Sequence, residues 1–376
     1  MATITARGSA AALASLLAVS AAPCLAQSTQ AVPSSVTLYG IVDVAVERIN
    51  NVGANGDSLT RVASLTGMLP SRVGLRGSED LGGGLRAVFT LENGFAPDQG
   101  TSNQGGRLFG RQAWVGLAGQ WGQVAVGRQV TALFWSLLDA DIMGPALYSS
   151  GSLDAYIPNA RADNAVGYLG RFGGFSLGAT YSFGRDAVNA GPGPAGTNCP
   201  GESPTDSKAC REWSALLKYD SSAFGVAAAI DTLRGGPAAF AGLTRSDLTD
   251  TRVVLNAYAK FGPHKLAAGI VRRDNEGSLT TPRSDLLWLG GAAVFGKVTL
   301  EAQVFKLDFK GSDNGALLPV VRGSYRFSRR TAVYATAANI DNKGASAFSV
   351  SGGGPGGLPV PGGSQTGIGA GILHSF

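Results

Sequence analysis

The chain has 376 residues, 55 of them Gly, with 15% charged and 44% apolar. Gly at about twice its usual frequency, with no every-third-residue period, excludes collagen, and the apolar fraction excludes a wholly disordered chain. The net charge of +5 is scattered rather than gathered into a basic stripe, so nucleic acid is not an expected partner, and no break in composition divides the chain into separate soluble domains.

Residues 1–26 read as a secretory signal. Arg7 is their only charge, an apolar run follows from Ala10 to Ala22, and Cys24 and Ala26 occupy the two positions a signal peptidase reads. Cleavage after Ala26 leaves a single domain, 27–376. The apolar run is short for a ~20-residue helical span, and no later stretch reaches 18 consecutive apolar residues, which excludes a helical membrane protein.

The segments that follow alternate with period two. In LRAVFTLE, Leu85, Ala87, Phe89 and Leu91 oppose Arg86, Val88, Thr90 and Glu92. In FSLGATYSF, Phe175, Leu177, Ala179, Tyr181 and Phe183 share a face. EWSALLKY sets Trp213, Ala215, Leu217 and Tyr219 against Glu212, Ser214, Leu216 and Lys218. RVVLNAYAKF sets Val253, Leu255, Ala257 and Ala259 against Arg252, Val254, Asn256 and Tyr258. Strands place successive side chains on opposite faces, and ten-residue segments with aromatic ends suit a tilted membrane-crossing strand. KVTLEAQVFKLDF breaks the pattern, because Leu307 and Phe309 change parity; a bulge near Phe305 would explain it. Between two of these segments, Cys199 and Cys210 lie in a polar Pro/Gly/Ser-rich loop, and in an oxidising compartment they are expected to form a local disulfide.

Connections alternate short and long. Short links fall at Leu81–Gly83, Gly119–Trp121, Phe172–Gly174, Asp220–Ser222, Phe261–Pro263, Phe295–Lys297 and Ser328–Arg329, and long polar or Gly-rich links fall between them. Seven short turns and eight long loops join sixteen strands. This rhythm predicts an all-β, 16-stranded antiparallel transmembrane β-barrel with both chain ends on the short-turn side. A secreted β-sandwich also alternates, but its second face carries charge that is depleted here.

SSVTLYGIVDVAVE at 34–47, SRVGLRGSEDLGGGLRAVFTLENGF at 71–95, GRLFGRQAWVGLAG at 106–119, GQVAVGRQ at 122–129, NAVGYLGRFGGFSLGATYSFG at 164–184 and the terminal Phe376 resemble the general porins of Gram-negative outer membranes, in particular the trimeric porins of beta-proteobacteria. The chain departs from the pattern in GILHSF, where Leu373 takes the place of a basic residue. The resemblance implies a homotrimer exported through the periplasm to the outer membrane, where it contacts lipid and lipopolysaccharide. Phe376 ends the strand read by the barrel-assembly machinery, and small hydrophilic solutes and ions pass by diffusion. It also implies that the third loop, 130–160, folds into the barrel. The loop's Asp139, Asp141 and Asp154 would then face wall arginines, for which the matching positions are Arg72, Arg128 and Arg161. Arg76 shares the parity of Arg72, opposite Val73 and Leu75, and joins the pore-constriction set; Arg128 shares the parity of Val124 and Val126, so only the resemblance brings it into the lumen. The positive net charge tilts the expectation toward weak anion preference. A substrate-specific channel and a surface receptor or adhesin are the alternatives.

His264 and His374 have no nucleophile and acid spaced around them, so no enzyme is expected. No cofactor and no metal site is expected. The acid pair in DADI is too few oxygens for Ca²⁺, and SGGGPGG at 351–357 lacks the Lys and Ser/Thr of a phosphate loop and reads as a flexible outer loop.

Overall fold

The computed structural model describes residues 34–186, 199–237 and 239–376. The expected signal segment lies outside the described residues. The strands in chain order are β1 (Ser35–Val52), β2 (Asp57–Val62), β3 (Arg72–Gly82), β4 (Leu85–Ala96), β5 (Thr101–Ser102), β6 (Gln112–Gly119), β7 (Gly122–Val130), β8 (Arg161–Phe172) and β9 (Phe175–Ser182). They continue as β10 (Glu212–Asp220), β11 (Phe224–Arg234), β12 (Thr249–Phe261), β13 (His264–Asn275), β14 (Arg283–Phe295), β15 (Val298–Phe309), β16 (Gly315–Arg326), β17 (Thr331–Lys343) and β18 (Ser364–Ser375).

Every pairing is antiparallel, and the sheet closes where β1 meets β18, from Ile41 opposite Ser375 to Ile49 opposite Gly367. Closure satisfies the backbone groups that an open edge would expose to lipid. On its other side β1 pairs with β3 through Ser35–Ile41 and with β2 from Val46 upward, so β2 and β3 form one wall strand interrupted at 63–71. The two-residue β5 pairs only within a loop. Sixteen wall strands remain.

The alternation read in the sequence resolves into an apolar outside and a polar inside. Val253 and Leu255 are 47% and 60% exposed, whereas Asp250, Arg252 and Asn256 on the other face are buried. Phe175, Tyr219 and Phe224 pack at centroid distances of 4.9 and 5.8 Å beside the short turns. Tyr181 and Phe183, 5.3 Å apart, mark the opposite end. Aromatic rings at both margins of an apolar band are what the two membrane interfaces select.

No bulge occurs near Phe305, because β15 keeps an unbroken register with both neighbours. Phe305, Leu307 and Phe309 simply face inward, Phe305 and Leu307 fully buried and Phe309 stacked on Phe348 at 6.3 Å. They change the pattern because the bore on that side is packed with loop rather than filled with water.

Candidate functional site

The loop between β7 and β8 closes at its neck through a hydrogen bond from Thr131 N to Ala160 O (3.0 Å) and then crosses the bore. A short helix, Ala132–Leu137, starts against β10, with Ala132 N donating to Ser214 Oγ at 2.9 Å. Inward side chains of successive strands then hold the loop backbone. Asn256 donates to Ser136 O (2.9 Å), Trp288 Nε1 donates to Ala140 O (2.9 Å), and Gln303 Oε1 accepts from Met143 N (2.8 Å). Arg322 reaches the carbonyls of Ile142 and Met143 at 3.3 Å. The far end docks on the β1–β18 seam. Leu147 N donates to Gly67 O (2.8 Å), and the inward face of β18 is Gly367, Gly369 and Gly371. A Cβ at Gly367 would lie 2.7 Å from the Tyr148 ring, and one at Gly369 would lie 3.1 Å from Leu147, so this stripe of the wall is bare backbone to admit the loop.

A second segment occupies the bore beside it. Ser349–Gly353, which overlaps the start of the 351–357 stretch expected to be a flexible outer loop, is turned inward: Val350 is fully buried, Gly352 N donates to Leu147 O (2.7 Å), and Ser152 Oγ donates to Val350 O (2.8 Å). Glycines allow the backbone to approach a neighbour that a side chain would hold away. Together the two loops build a core of Leu133, Leu137, Leu147, Phe305, Leu318 and Val350 inside the barrel.

The expected site residues separate into two groups. Arg72 and Arg161 gather with Arg111, which is not among the expected residues, around one carboxylate: Arg111 Nε is 2.7 Å from Glu92 Oε1 and Arg72 Nε is 3.6 Å from Oε2. Arg161 lies within their field, its guanidinium 5.7 Å from the Phe134 ring centroid and its buried Nε without a hydrogen-bond partner among the described residues. Arg128 is buried although it shares the parity of the outward Val124 and Val126; β7 keeps its register with β6 through Arg128 opposite Ala113, and the extra residue at this point lies on β8, between Ala162 and Ala165. Arg128 serves a different network, donating to Gly110 O (2.7 Å) and pairing with Asp163 (2.8 Å) beside Arg107 and Asp186. Arg76 sits farther toward the short turns, 5.3 Å over the Tyr39 ring.

The loop carboxylates pair elsewhere. Asp154 makes a two-pronged contact with Arg252 of β12 (2.8 and 3.2 Å), Asp139 pairs with Lys218 of β10, and Asp141 accepts from Ser150 Oγ (2.8 Å) and Gly144 N (3.1 Å). Burial pushes the Asp141 carboxyl up to about 6. Burial also acts to raise Asp154, but the Arg252 and Arg273 cations outweigh it and hold the group below the usual carboxylate range. No ion pair joins these three aspartates to Arg72, Arg76, Arg128 or Arg161 among the described residues. Arg252 and Lys218 are the partners missed in the sequence; both stand on the polar face of an alternating strand, a signal that identifies the lumen but not the height. Cys199 and Cys210 are joined, with Cα atoms 5.3 Å apart.

A closed barrel, greasy outside and charged within, whose third loop is laced to the inner wall, defines an outer-membrane channel of the porin class. The model of the family described as Gram-negative porin matches residues 10–345, and the chain belongs to that family. Outer membrane porin protein 32 of Delftia acidovorans is 32% identical over 361 residues, covering 91% of this chain and 94% of that protein. An outer membrane porin protein of Bordetella pertussis is 40% identical over 177 residues, 42% of this chain and 46% of its own length. The solved anion-selective porin from Comamonas acidovorans superposes with a TM-score of 0.73 at 28% identity, over 92% of this chain and all of that one. The chain is accordingly a porin of the outer membrane, a member of a family of channels rather than enzymes.

Proposed function

We propose that this porin is a weakly anion-preferring channel for small hydrophilic solutes, assembled as a homotrimer after removal of residues 1–26. The observation that carries the preference is the cluster in which Arg72, Arg111 and Arg161 share the single carboxylate of Glu92. Fixed cations in a narrow, low-dielectric passage raise the local concentration of anions. Resemblance to a porin described as anion-selective agrees with this sign. Arg72, Arg76, Arg128 and Arg161 together with Asp139, Asp141 and Asp154 make up the constriction in this reading, Arg128 as a buried brace of the wall and Asp154 as the anchor of the loop.

Trimer formation is supported by a concave apolar outer surface in which Gly291, Ala293, Ala302, Gly323, Ala335 and Ala337 let another barrel approach closely. Lipid and lipopolysaccharide cover the remaining apolar belt, and Phe376 presents the assembly signal at the end of the closing strand.

Reversal potential in a planar bilayer under a tenfold KCl gradient tests the preference. Wild type is expected to give an anion-side potential and Arg72→Ala a smaller one; a cation-side wild-type potential refutes the reading. Liposome swelling with sugars of graded size tests passage itself.

A further inference from the structure

The charges on the inner wall are balanced differently along the axis. At mid-height and toward the long loops, most acids and bases are paired, the exception being Arg72, Arg111 and Arg161 around Glu92. Glu47 pairs with Arg61, Asp163 and Asp186 with Arg107 and Arg128, Asp250 with Arg252 and Arg273, and Glu301 with Arg322. Toward the short turns the matching stops. Arg76, Arg171, Lys260, Lys265 and Arg326 occupy inward positions of β3, β8, β12, β13 and β16, and none has an ion-pair partner within 4.0 Å among the described residues. The acids on that part of the inner face are engaged. Asp220 is held by Lys218 (3.0 Å) and the Tyr258 hydroxyl (2.7 Å), and Asp80 lies directly across the ladder from Arg86. Lys260 and Lys265 flank the Tyr258 ring at 5.1 and 4.6 Å, and together with Lys218 they outnumber by one the two carboxylates beside them, Asp139 and Asp220.

Except for Arg76, these cations lie within two residues of a short turn, so at ~3.3 Å per residue they ring the mouth within roughly 7 Å of its edge. Short turns face the periplasm in such barrels. Lys260 and Lys265 stand on adjacent strands, and the other neighbours are three or four strands apart, about 14–19 Å along the wall at ~4.8 Å per strand, so each charge acts over ~10 Å of the mouth at 0.1 M salt and over only ~3 Å at 1 M.

Building on the anion preference proposed above, we propose that this periplasmic ring, formed by Arg171, Lys260, Lys265 and Arg326 with Arg76 behind it, adds to the selectivity of the Arg72 cluster and makes the channel rectify. The reasoning is one of transport numbers. In the ring anions carry a larger share of the current than in the passage above it, where most wall charges are paired and cations share the load. When anions are driven from the periplasmic side, more arrive at the junction than leave as anion current, ions accumulate and conductance rises. When they are driven the other way, the junction is depleted. The larger current therefore flows with the periplasmic side negative.

The test uses the full-length protein, inserted from one chamber of a planar bilayer. In symmetric 0.1 M KCl the wild type is expected to pass unequal currents at equal and opposite voltages, the inequality disappearing at 1 M. The variant Arg171→Gln/Lys260→Gln/Lys265→Gln/Arg326→Gln is expected to conduct equally in both directions, with an anion-to-cation permeability ratio lowered about threefold at 0.1 M. Sheet circular dichroism and heat-dependent gel migration report its folding. If it does not fold, the pairs Arg171→Gln/Arg326→Gln and Lys260→Gln/Lys265→Gln are read in its place, and the wild-type salt series stands alone in any case. An ohmic wild type at 0.1 M, or an anion-preferring wild type whose ring variants keep its permeability ratio, overturns the ring. A cation-preferring wild type overturns the anion reading of the channel itself.

Discussion

The docking of the third loop turns on Asp154. Its carboxylate binds the guanidinium of Arg252 through two contacts of 2.8 and 3.2 Å, and the two side chains are only 10% and 2% exposed. Deleting one partner of a buried pair costs roughly 3–5 kcal/mol, because the other charge is left desolvated. Arg252 would keep Asp250 at 3.1 Å and the Tyr156 ring at 4.6 Å, so the expected penalty for Asp154→Asn is about 2–3 kcal/mol. At ~1.4 kcal/mol per decade, the undocked loop becomes roughly 30- to 150-fold more populated. Amide hydrogen exchange followed by mass spectrometry reads this directly. Leu153, Ile157 and Asn159 donate within the docked turn (3.0, 3.2 and 2.8 Å) and should lose protection by that factor. Single-channel current noise should rise with it. Asp139→Asn is the internal control, since its carboxylate is 45% exposed and such pairs contribute at most about 1 kcal/mol. The sign with pH follows. The folded Asp154 titrates below its ordinary value, so its contribution is complete above that value and is lost as pH falls through the lower, folded one. Unchanged protection of residues 153–159 in Asp154→Asn would refute the anchor.

Asp141 titrates with the opposite sign. Burial raises it from 3.8 to about 6, so the fold gains stability as pH falls through about 6 and loses it on the way back up; Asp141→Asn should flatten the melting temperature against pH between 4 and 7. Gly367→Val places a branched side chain against Tyr148 and should destabilise the barrel by about 1–3 kcal/mol, seen as a lower melting temperature; an unaltered melt means the wall yields. Removing 349–353 should raise single-channel conductance by opening the space beside Leu147, whereas an unchanged value would place the conducting path on the other side of the bore. Cys199→Ser/Cys210→Ser frees a loop closed over a separation of 11 residues and should weaken that loop by roughly 2–3 kcal/mol, detected as faster proteolysis near 199–210 with conductance retained.

Strand alternation made the wall legible because it records a single variable, inside or outside. Val253 against Arg252 and Trp213 against Glu212 could be assigned from parity alone, and the division of links into short and long gave the barrel its count and orientation. What parity omits is height along the axis and position around it. Arg252 and Lys218 were both visibly on the lumen side, yet nothing in RVVLNAYAKF or EWSALLKY says that the first meets Asp154 and the second Asp139. Arg128 shows the limit of parity itself. Its side chain is buried in an ion pair with Asp163, a partner that neither the alternation of AVGRQ nor the resemblance indicates.

The inward turn of 349–353 was hidden for a related reason. A Gly/Ser/Pro run is read as solvated because it has few side chains to bury, but the same lack lets it lie flat on another loop and share backbone hydrogen bonds. Leu307 and Phe309 carried the missing information. Apolar residues on the lumen parity of β15 contradict a water-filled bore, and the simplest resolution is that something dry lies against them, as Phe348 and the third loop do. The parity break in KVTLEAQVFKLDF thus reports on the filling of the barrel rather than on the regularity of its strand. Its consequence is mechanical. With the side of the bore against β15 and β16 packed as a core, solutes are left the passage along the charged walls, and the charges on those walls acquire the control over passage that a wider, evenly wetted cylinder would deny them.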